Sequence, residues 1–227
     1  MDAVLEPQQT RIGRRVVLGM LAAGAVGIVF GGRLTSTVSD LAAPLTGDGF
    51  RIYSVAGYSP ATPPAEYALA VGGLATNSLR LTYADLQAMP STTLTRDFQC
   101  VTGWRVAGVR WTGVALRDVL DRAGVAPAAK AVTFRSSDRV YTESLTLDQA
   151  RRDDVLVAYE MQGAPITDRH GGPVRLLVAP MYGYKSLKWL SHIDLVDAVE
   201  PGYWEQEGYD VDAWVGSSNG RQDAPTS

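Results

Sequence analysis

Short apolar runs rich in Val, Leu and Tyr recur along the chain from about residue 48, and Gly, Pro and polar residues separate them. Runs of this length with turn residues on both sides are typical of β-strands. They predict strands at Tyr67–Val71, Ala131–Arg135, Leu156–Tyr159, Val174–Ala179 and Ile193–Val196.

Two segments have helical patterns instead. The apolar residues of Leu116–Ala123 recur at helical spacing, Thr112 stands in the expected cap region, and Gly124 is a typical helix end. Thr146–Gln149 has the form of a capping box and predicts a second, short helix. Strands and helices do not alternate regularly. The pattern therefore predicts an α+β fold with a mostly antiparallel or mixed sheet and a few short helices.

The first 44 residues form a separate piece. Arg14 and Arg15 precede the uncharged, Ala- and Gly-rich stretch Val16–Phe30, which is shorter than the roughly 20 residues of a spanning helix. Paired arginines before such a stretch predict a twin-arginine export signal followed by a linker. A short membrane anchor is the alternative. Either interpretation places the folded part outside the cytoplasm, in the periplasm or on the outer face of the membrane.

Residues 45–215 are expected to form one domain, since they contain no long linker or repeat. The Pro-rich patch Ser59–Pro64 predicts a surface loop. Residues 216–227 are expected to be a polar C-terminal tail. Gly216–Gly220 matches the nucleophile-elbow pattern, but its place in the tail argues against a catalytic serine there.

Composition narrows the classes of function. With 227 residues, 46% of them hydrophobic, the chain can bury a substantial core. A net charge of −3 argues against an extended nucleic-acid face. One cysteine and two histidines exclude an intrachain disulfide, a cysteine-ligated iron–sulfur cluster and a haem attachment motif, and they disfavour a closed zinc site.

That single cysteine, Cys100, supports two interpretations. A lone cysteine is usually a small buried hydrophobe. An unpaired thiol outside the cytoplasm is exposed to oxidation unless it is buried or occupied. A thiolate is also a strong ligand for a transition metal, and Thr102–Gly103 allows a tight turn beside it.

A second group of residues combines cations with glycines and aromatic side chains. It includes Arg175, Lys185 and Lys188, near the end of a predicted strand. The arginine supplies a planar guanidinium, the lysines supply compact positive charges, and a Gly-rich turn supplies backbone N–H groups that are open to a ligand. Such a group of residues can hold a phosphate. A solvated basic loop is the alternative interpretation.

Together these segments resemble the sulfite-oxidase-fold molybdenum enzymes, and the periplasmic protein-methionine-sulfoxide reductases in particular. The resemblance covers about residues 48–214. Its most specific parts are Asp97–Trp104, Trp111–Val114, Gly171–Leu176, Tyr182–Trp189 and Gly202–Glu205.

The resemblance implies a mononuclear molybdenum held by one molybdopterin, with Cys100 as the protein's metal ligand. It also implies that several other residues contact the cofactor. Ser136, His170 and Arg175 match positions of the pterin site; Ser186, Leu187 and Lys188 match the stretch that binds the phosphate end; Arg51 and Tyr53 lie near the N-terminal contacts.

The implied activity is oxygen-atom transfer, either sulfoxide reduction or sulfite-type oxidation, on a small-molecule or protein substrate. Electrons would be exchanged with a haem partner, either a membrane cytochrome b or a cytochrome c. Besides Cys100, Arg105 and Tyr182 are expected at the catalytic mouth, with Arg139 and Tyr141 as further candidates. The alternative is a non-catalytic relative that keeps the fold as a binding or assembly module.

Overall fold

The computed structural model describes residues 48–224, so the proposed export signal lies outside the described residues. Ten strands are present: Ala68–Gly73 (β1), Leu79–Thr82 (β2), Ser91–Gln99 (β3), Arg105–Ala115 (β4), Ala131–Ser136 (β5), Thr142–Thr146 (β6), Val155–Met161 (β7), Ala164–Pro165 (β8), Arg175–Val178 (β9) and Leu190–Val196 (β10). The α-helices are Tyr83–Ala88 (α1), Leu116–Ala123 (α2), Leu147–Ala150 (α3) and Tyr203–Gln206 (α4), and short 3-10 helices occupy Pro64–Glu66, Asp168–His170 and Gly183–Lys185.

The five predicted strands correspond to β1, β5, β7, β9 and β10, and both predicted helices are confirmed. The capping box of α3 is complete, because Thr146 and Gln149 each bond the other's backbone N–H. The expected cap at Thr112 is wrong. Thr112 lies inside β4, and α2 begins after Ala115 without a side-chain cap.

Two five-stranded sheets make up the fold. The first has the order β2-β1-β10-β5-β6, and the second has β3-β4-β7-β8 with β9 also paired to β7. Among the described strand pairs, β1 and β10 run parallel and the others antiparallel. The expected mostly antiparallel α+β arrangement is thus confirmed.

Two strands of the second sheet, β7 and β9, are buried on both faces along most or all of their length. Along β7, Val155 and Val157 belong to the large core that also contains residues of the first sheet, whereas Leu156 and Ala158 belong to a smaller core with Trp111. Successive strand residues point to opposite faces, so Val155–Tyr159 of β7 is an uncharged, mostly apolar run. The chain ahead of β1 covers the smaller core with Phe50.

In the described part of the chain, no helix is both long enough and apolar enough to cross a membrane.

Candidate cofactor site around Cys100

Cys100 lies in the tight turn that joins β3 to β4. Its backbone N–H donates to the Trp104 carbonyl at 2.9 Å, and Gly103 N–H donates to the Cys100 carbonyl at 3.0 Å. Gly103 has a φ of 107°, a conformation that favours glycine. The hydroxyl of Thr102 donates to the Cys100 sulfur at 3.2 Å. The turn predicted around Thr102–Gly103 is therefore present and fixes a half-buried, unpaired thiol.

Two cations act on this thiol. Burial raises the pKa of Cys100, and the Thr102 hydrogen bonds and the charges of Arg221 and Arg51 oppose that rise. Arg51 is buried. These two guanidinium charges favour the thiolate, the form in which a cysteine binds a metal, although burial keeps the net pKa of the thiol raised.

Tyrosine side chains complete the surroundings of the thiol. After burial, the Cys100 charge helps to raise the pKa of both Tyr53 and Tyr209. It also contributes, after the nearer glutamates, to the raised pKa of Tyr141. Arg51, Tyr53 and Tyr141, which the sequence suggests as cofactor or mouth residues, thus interact electrostatically with Cys100. Tyr209 and Arg221 do so too, and the sequence analysis missed them.

Lys188 and Arg175 form a second cationic region. Burial, followed by the charge of Arg175, lowers the pKa of Lys188 to about 7, and Asp138 opposes the effect. Burial lowers the pKa of Arg175 to about 10. The Lys188 ammonium donates to the Tyr53 carbonyl, which connects this region to the segment beside Cys100.

Arg175 also braces the surrounding loops. Its guanidinium donates to the carbonyls of His170 and Ser186, both at 2.7 Å, and lies over the rings of Phe98 and Trp111. Because its guanidinium bonds these two carbonyls, Arg175 holds the backbone at His170 and Ser186 in position for a ligand. The structure thus brings together Arg175, His170 and Ser186.

The remaining predicted contacts lie on buried loops around the same region. His170 Nε2 is 2.9 Å from an Asp48 carboxylate oxygen, and burial lowers the pKa of the imidazole. The Ser186 hydroxyl accepts from Val178 N–H at 3.0 Å, and Leu187 is fully buried. The Ser136 hydroxyl accepts from Asp138 N–H at 3.2 Å, in the loop whose aspartate faces Lys188.

The candidates for the catalytic mouth lie in different surroundings. Tyr182 is fully buried, and its hydroxyl donates to Asp223 at 2.8 Å. Arg105 is 45% exposed at the start of β4 and lies 3.4 Å from Asp97. Arg139 has a φ of 63° in the loop between β5 and β6. Of these three, Tyr182 contacts the segment that carries Arg221.

These residues fit the cofactor implied by the sequence. A terminal phosphate needs cationic partners, and the buried charges of Lys188 and Arg175 repel each other until an anion lies between them. A molybdenum ion needs a soft, ionisable donor, and Cys100 supplies one beside two guanidinium groups. The donor set therefore matches both ends of a molybdenum–pterin group.

Comparison with known proteins supports the same assignment. The family described as oxidoreductase molybdopterin binding domain matches residues 56–204. The uncharacterized oxidoreductase YuiH of Bacillus subtilis is 35% identical over 148 residues, which cover 64% of this chain and 74% of that protein.

Two relatives whose names state an activity are also similar. Sulfite oxidase of Arabidopsis thaliana is 30% identical over 177 residues, covering 63% of this chain and 45% of that protein. A putative protein-methionine-sulfoxide reductase subunit, YedZ1 of Azospira oryzae, is 30% identical over 154 residues, covering 68% and 57%. The chain thus spans about half the length of these two proteins.

Among solved structures, the sulfane dehydrogenase SoxCD from Paracoccus pantotrophus superimposes with a TM-score of 0.57 at 25% identity. The match covers 62% of this chain and 41% of that one. The resemblance drawn from the sequence and the sulfite-oxidase-type fold are both confirmed.

Proposed function

Because this chain belongs to the oxidoreductase molybdopterin-binding family, we propose that it transfers an oxygen atom to or from the sulfur of its substrate. The family makes it an oxidoreductase with a molybdopterin cofactor. The observation that carries the finer proposal is the position of Cys100. Its thiol lies on a hydrogen-bonded turn, and the charges of Arg221 and Arg51 act on it.

The cofactor contacts follow from the donors described above. Cys100 would ligate the molybdenum through sulfur. Lys188 would hold the phosphate end, and Arg175 would keep the backbone of Ser186 in place beneath it. The bound cofactor supplies a two-electron couple and an exchangeable oxygen.

The protein's own groups orient and stabilise this site. Thr102 fixes the direction of the sulfur through its hydroxyl. Arg51 and Arg221 stabilise negative charge on the sulfur and on substrate oxygen. Tyr53 and Tyr209 remain protonated at neutral pH, since burial and the nearby thiol raise their pKa values, and so they can donate hydrogen bonds.

Both directions of the reaction balance with two electrons and two protons. A sulfoxide takes up two electrons and two protons and is converted to a sulfide and water. Sulfite reacts with water to give sulfate and releases two electrons and two protons. The electrons need a second redox centre, and we assign that role to a haem protein on another chain, either a cytochrome b or a cytochrome c.

We also place the working enzyme outside the cytoplasm. Arg14 and Arg15 ahead of the short apolar stretch support export of a folded, loaded protein. A non-catalytic binding module is the competing function. It gives no reason for two cations to act on Cys100, or for the half-buried Lys188 to have its pKa lowered by the charge of Arg175.

Metal analysis and one substitution test the proposal. Purified protein should contain stoichiometric molybdenum and act on sulfoxides, sulfite or N-oxides with a redox dye. Cys100→Ser replaces the thiolate by a harder and far less acidic ligand. Activity should fall by roughly two orders of magnitude or more, since a metal ligand acts directly on the reacting centre, while circular dichroism stays unchanged.

Thr95→Ser is the matched control, because Thr95 is an exposed residue of the same strand, β3. Its activity and molybdenum content should equal those of the wild type. Molybdenum-free wild-type protein would leave the binding-module function as the better explanation. Near-normal activity in Cys100→Ser would overturn the assignment of Cys100 as the metal ligand.

A further inference from the structure

A small cavity, called here the β5–β6 cavity, lies at the edge of the first sheet, where β6 is the last strand. Its volume is about 230 Å³. The residues that line it include Thr133, Arg135, Thr142, Glu143 and residues 200–202. None of the lining residues is assigned to the candidate cofactor site, so the proposed function does not use this cavity.

Two buried side chains at the β5–β6 cavity have polar atoms without a hydrogen-bond partner. These atoms are the hydroxyl of Thr133 and Oε1 of Glu143. Thr133 is only 6% exposed and Glu143 only 1%. Buried polar groups of native proteins are nearly always hydrogen-bonded. The two oxygens therefore point to a ligand that donates hydrogen bonds.

The ionic cluster that includes Glu143 carries more negative than positive charge. Oε2 of Glu143 is 2.8 Å from the Lys185 ammonium, and Glu205 contacts the same ammonium. Glu205 also accepts from the N–H of Gly202 at the cavity. Two carboxylates thus share one cation, and a second cation beside Glu143 would balance the cluster.

The surrounding chain adds to this negative charge. Residues 189–220 contain seven acidic residues and no lysine or arginine, and Glu200 of this stretch lines the cavity. Arg135, which also lines the cavity, is paired with Asp194, with Nη2 3.1 Å from a carboxylate oxygen. The charge distribution therefore favours a cation over an anion as the ligand.

A primary ammonium fits this site better than a metal ion does. In the part of the chain that the structure describes, no group of three or more His, Cys, Asp or Glu side chains could hold a metal ion. An ammonium has three N–H donors, which is enough for Glu143 Oε1 and the Thr133 hydroxyl. The volume of about 230 Å³ also leaves room for a short alkyl chain.

We propose that the β5–β6 cavity binds a primary ammonium group, which donates hydrogen bonds to Glu143 and Thr133. The ligand is an alkylamine or the side chain of a lysine from another protein, since both present the same ammonium on an alkyl chain. The site goes beyond the proposed oxygen-atom transfer and does not depend on it.

Binding should depend on pH through Glu143. This carboxyl faces Lys185 and Glu205. It also interacts with the hydroxyls of Tyr141 and Tyr184, which stay protonated because burial raises their pKa values. Burial raises the pKa of Glu143 to about 8, so a proton competes with the ammonium at lower pH. An amine keeps its charge up to about pH 10, so affinity should rise from about pH 6.5 to about pH 8.5.

The test is a titration of the isotope-labelled full chain, followed through the backbone amide signals of β5 and β6. n-Butylamine is the probe for a free amine, and N-acetyl-lysine amide is the probe for a lysine side chain. Tetramethylammonium is the control ligand, because it has the same charge and no N–H donor. The variants are Glu143→Gln, Thr133→Val and the control Glu207→Gln, which changes an exposed glutamate outside the cavity.

n-Butylamine should shift these signals in a saturable way, with a dissociation constant on the order of 1 mM. Glu143→Gln should weaken binding by about tenfold or more, because a charge-assisted hydrogen bond is lost. Thr133→Val should weaken it by about threefold or more through one neutral hydrogen bond, and Glu207→Gln should match the wild type. Equal or tighter binding of N-acetyl-lysine amide identifies a lysine side chain as the ligand, and its exclusion identifies a free amine.

Three results would overturn the proposal. Signals of β5 and β6 that no amine shifts would show that the cavity binds none. Tetramethylammonium that binds as tightly as n-butylamine would show an effect of charge alone. An affinity that is unchanged in Glu143→Gln or in Thr133→Val would place the amine elsewhere.

Thr133→Val leaves the ion pairs of Lys185 intact, so it remains informative if Glu143→Gln fails to fold by circular dichroism. The molybdenum content of the same preparation tests the proposed function separately.

Discussion

Lys188 is the residue of the site whose charge depends most on its surroundings. Its pKa falls to about 7 through burial and the neighbouring charge of Arg175. An anion beside the ammonium would favour the charged form and raise that pKa again. Binding of the cofactor's phosphate should therefore be linked to uptake of a proton by Lys188 near neutral pH.

We expect cofactor retention to depend on pH through this lysine. The wild-type protein should retain less cofactor as the pH rises from 6 to 9, because the neutral Lys188 then has to take up a proton before it can bind the phosphate. Lys188→Arg keeps a charge at all these values and should abolish most of the slope. Lys188→Ala should lose about 10- to 100-fold in affinity, the equivalent of one charge-assisted hydrogen bond.

Pterin fluorescence and molybdenum content after dialysis at each pH provide the measurement. Lys130→Ala is the matched control, since Lys130 is an exposed lysine outside the site. If Lys188→Ala retained as much cofactor as Lys130→Ala, Lys188 would be only a surface charge.

Sequence reasoning predicted candidate site residues where they lie in recognisable segments. Cys100 and Lys188 were predicted in this way, and Arg51 was expected near the N-terminal cofactor contacts. Arg221 was missed because it lies in a polar stretch without hydrophobic periodicity, so no local pattern showed that the stretch was ordered. Tyr182 was expected at the mouth, but its hydroxyl is directed to Asp223. Tertiary contacts decide both cases.

At the scale of secondary-structure elements, one buried ionic cluster connects a 3-10 helix, a strand and an α-helix. Lys185, in the 3-10 helix Gly183–Lys185, has its ammonium 2.8 Å from Glu143 of β6 and also in contact with Glu205 of α4. All three side chains are fully shielded from solvent. Two carboxylates share one ammonium here, so a proton on one of them relieves the excess negative charge.

That proton should make stability depend on pH. Burial raises the pKa of Glu143 to about 8, although Lys185 opposes the rise. The folded protein therefore holds a proton that the unfolded chain has released above pH about 4.3. Stability should fall between about pH 5 and 8, by at most roughly 1.4 kcal/mol per pH unit, and level off above pH 8.

Glu143→Gln should remove this contribution, because an amide of the same shape cannot ionise. Chemical denaturation at pH 5, 6.5 and 8 should show a flatter profile for the variant than for the wild type. Glu207→Gln changes an exposed glutamate next to α4 and should leave the wild-type profile unaltered. Parallel profiles for wild type and Glu143→Gln would show that Glu143 is ionised throughout this range.

The elements themselves were only partly predictable. β7 and β9 were found because both of their faces are buried and apolar residues make up most of their sequences. β3 and β4 were missed: β3 is polar at alternate, exposed positions, and β4 is interrupted by Gly108 and Gly113. The helix α1 was also missed, although Thr82 and Asp85 form a capping box that could have revealed it.

At the scale of the whole molecule, the site is assembled from segments that are far apart in sequence. Arg51 precedes β1, Cys100 joins β3 to β4, Lys188 precedes β10, and Arg221 follows α4. These segments meet only when the sheets and both cores have formed. An unfolded chain therefore has no site to bind a cofactor, and loading has to follow folding.

This order of events bears on export, which we infer from Arg14 and Arg15. Those two residues lie outside the described part of the chain. The family resemblance implies that molybdopterin is made in the cytoplasm. A route that exports unfolded chains would then deliver an empty protein, whereas a twin-arginine route carries the loaded fold.

Replacing both arginines by lysine distinguishes an export signal that a receptor recognises from a simple effect of positive charge. Arg14→Lys/Arg15→Lys keeps the positive charge that would orient a membrane anchor. The double variant should accumulate in the cytoplasm as active, molybdenum-loaded protein. Cell fractionation with metal analysis of each fraction measures this, and Arg11→Lys, an upstream arginine outside the pair, is the matched control that should still be exported. Arrival of the loaded double variant beyond the membrane would show that positive charge alone directs the chain there.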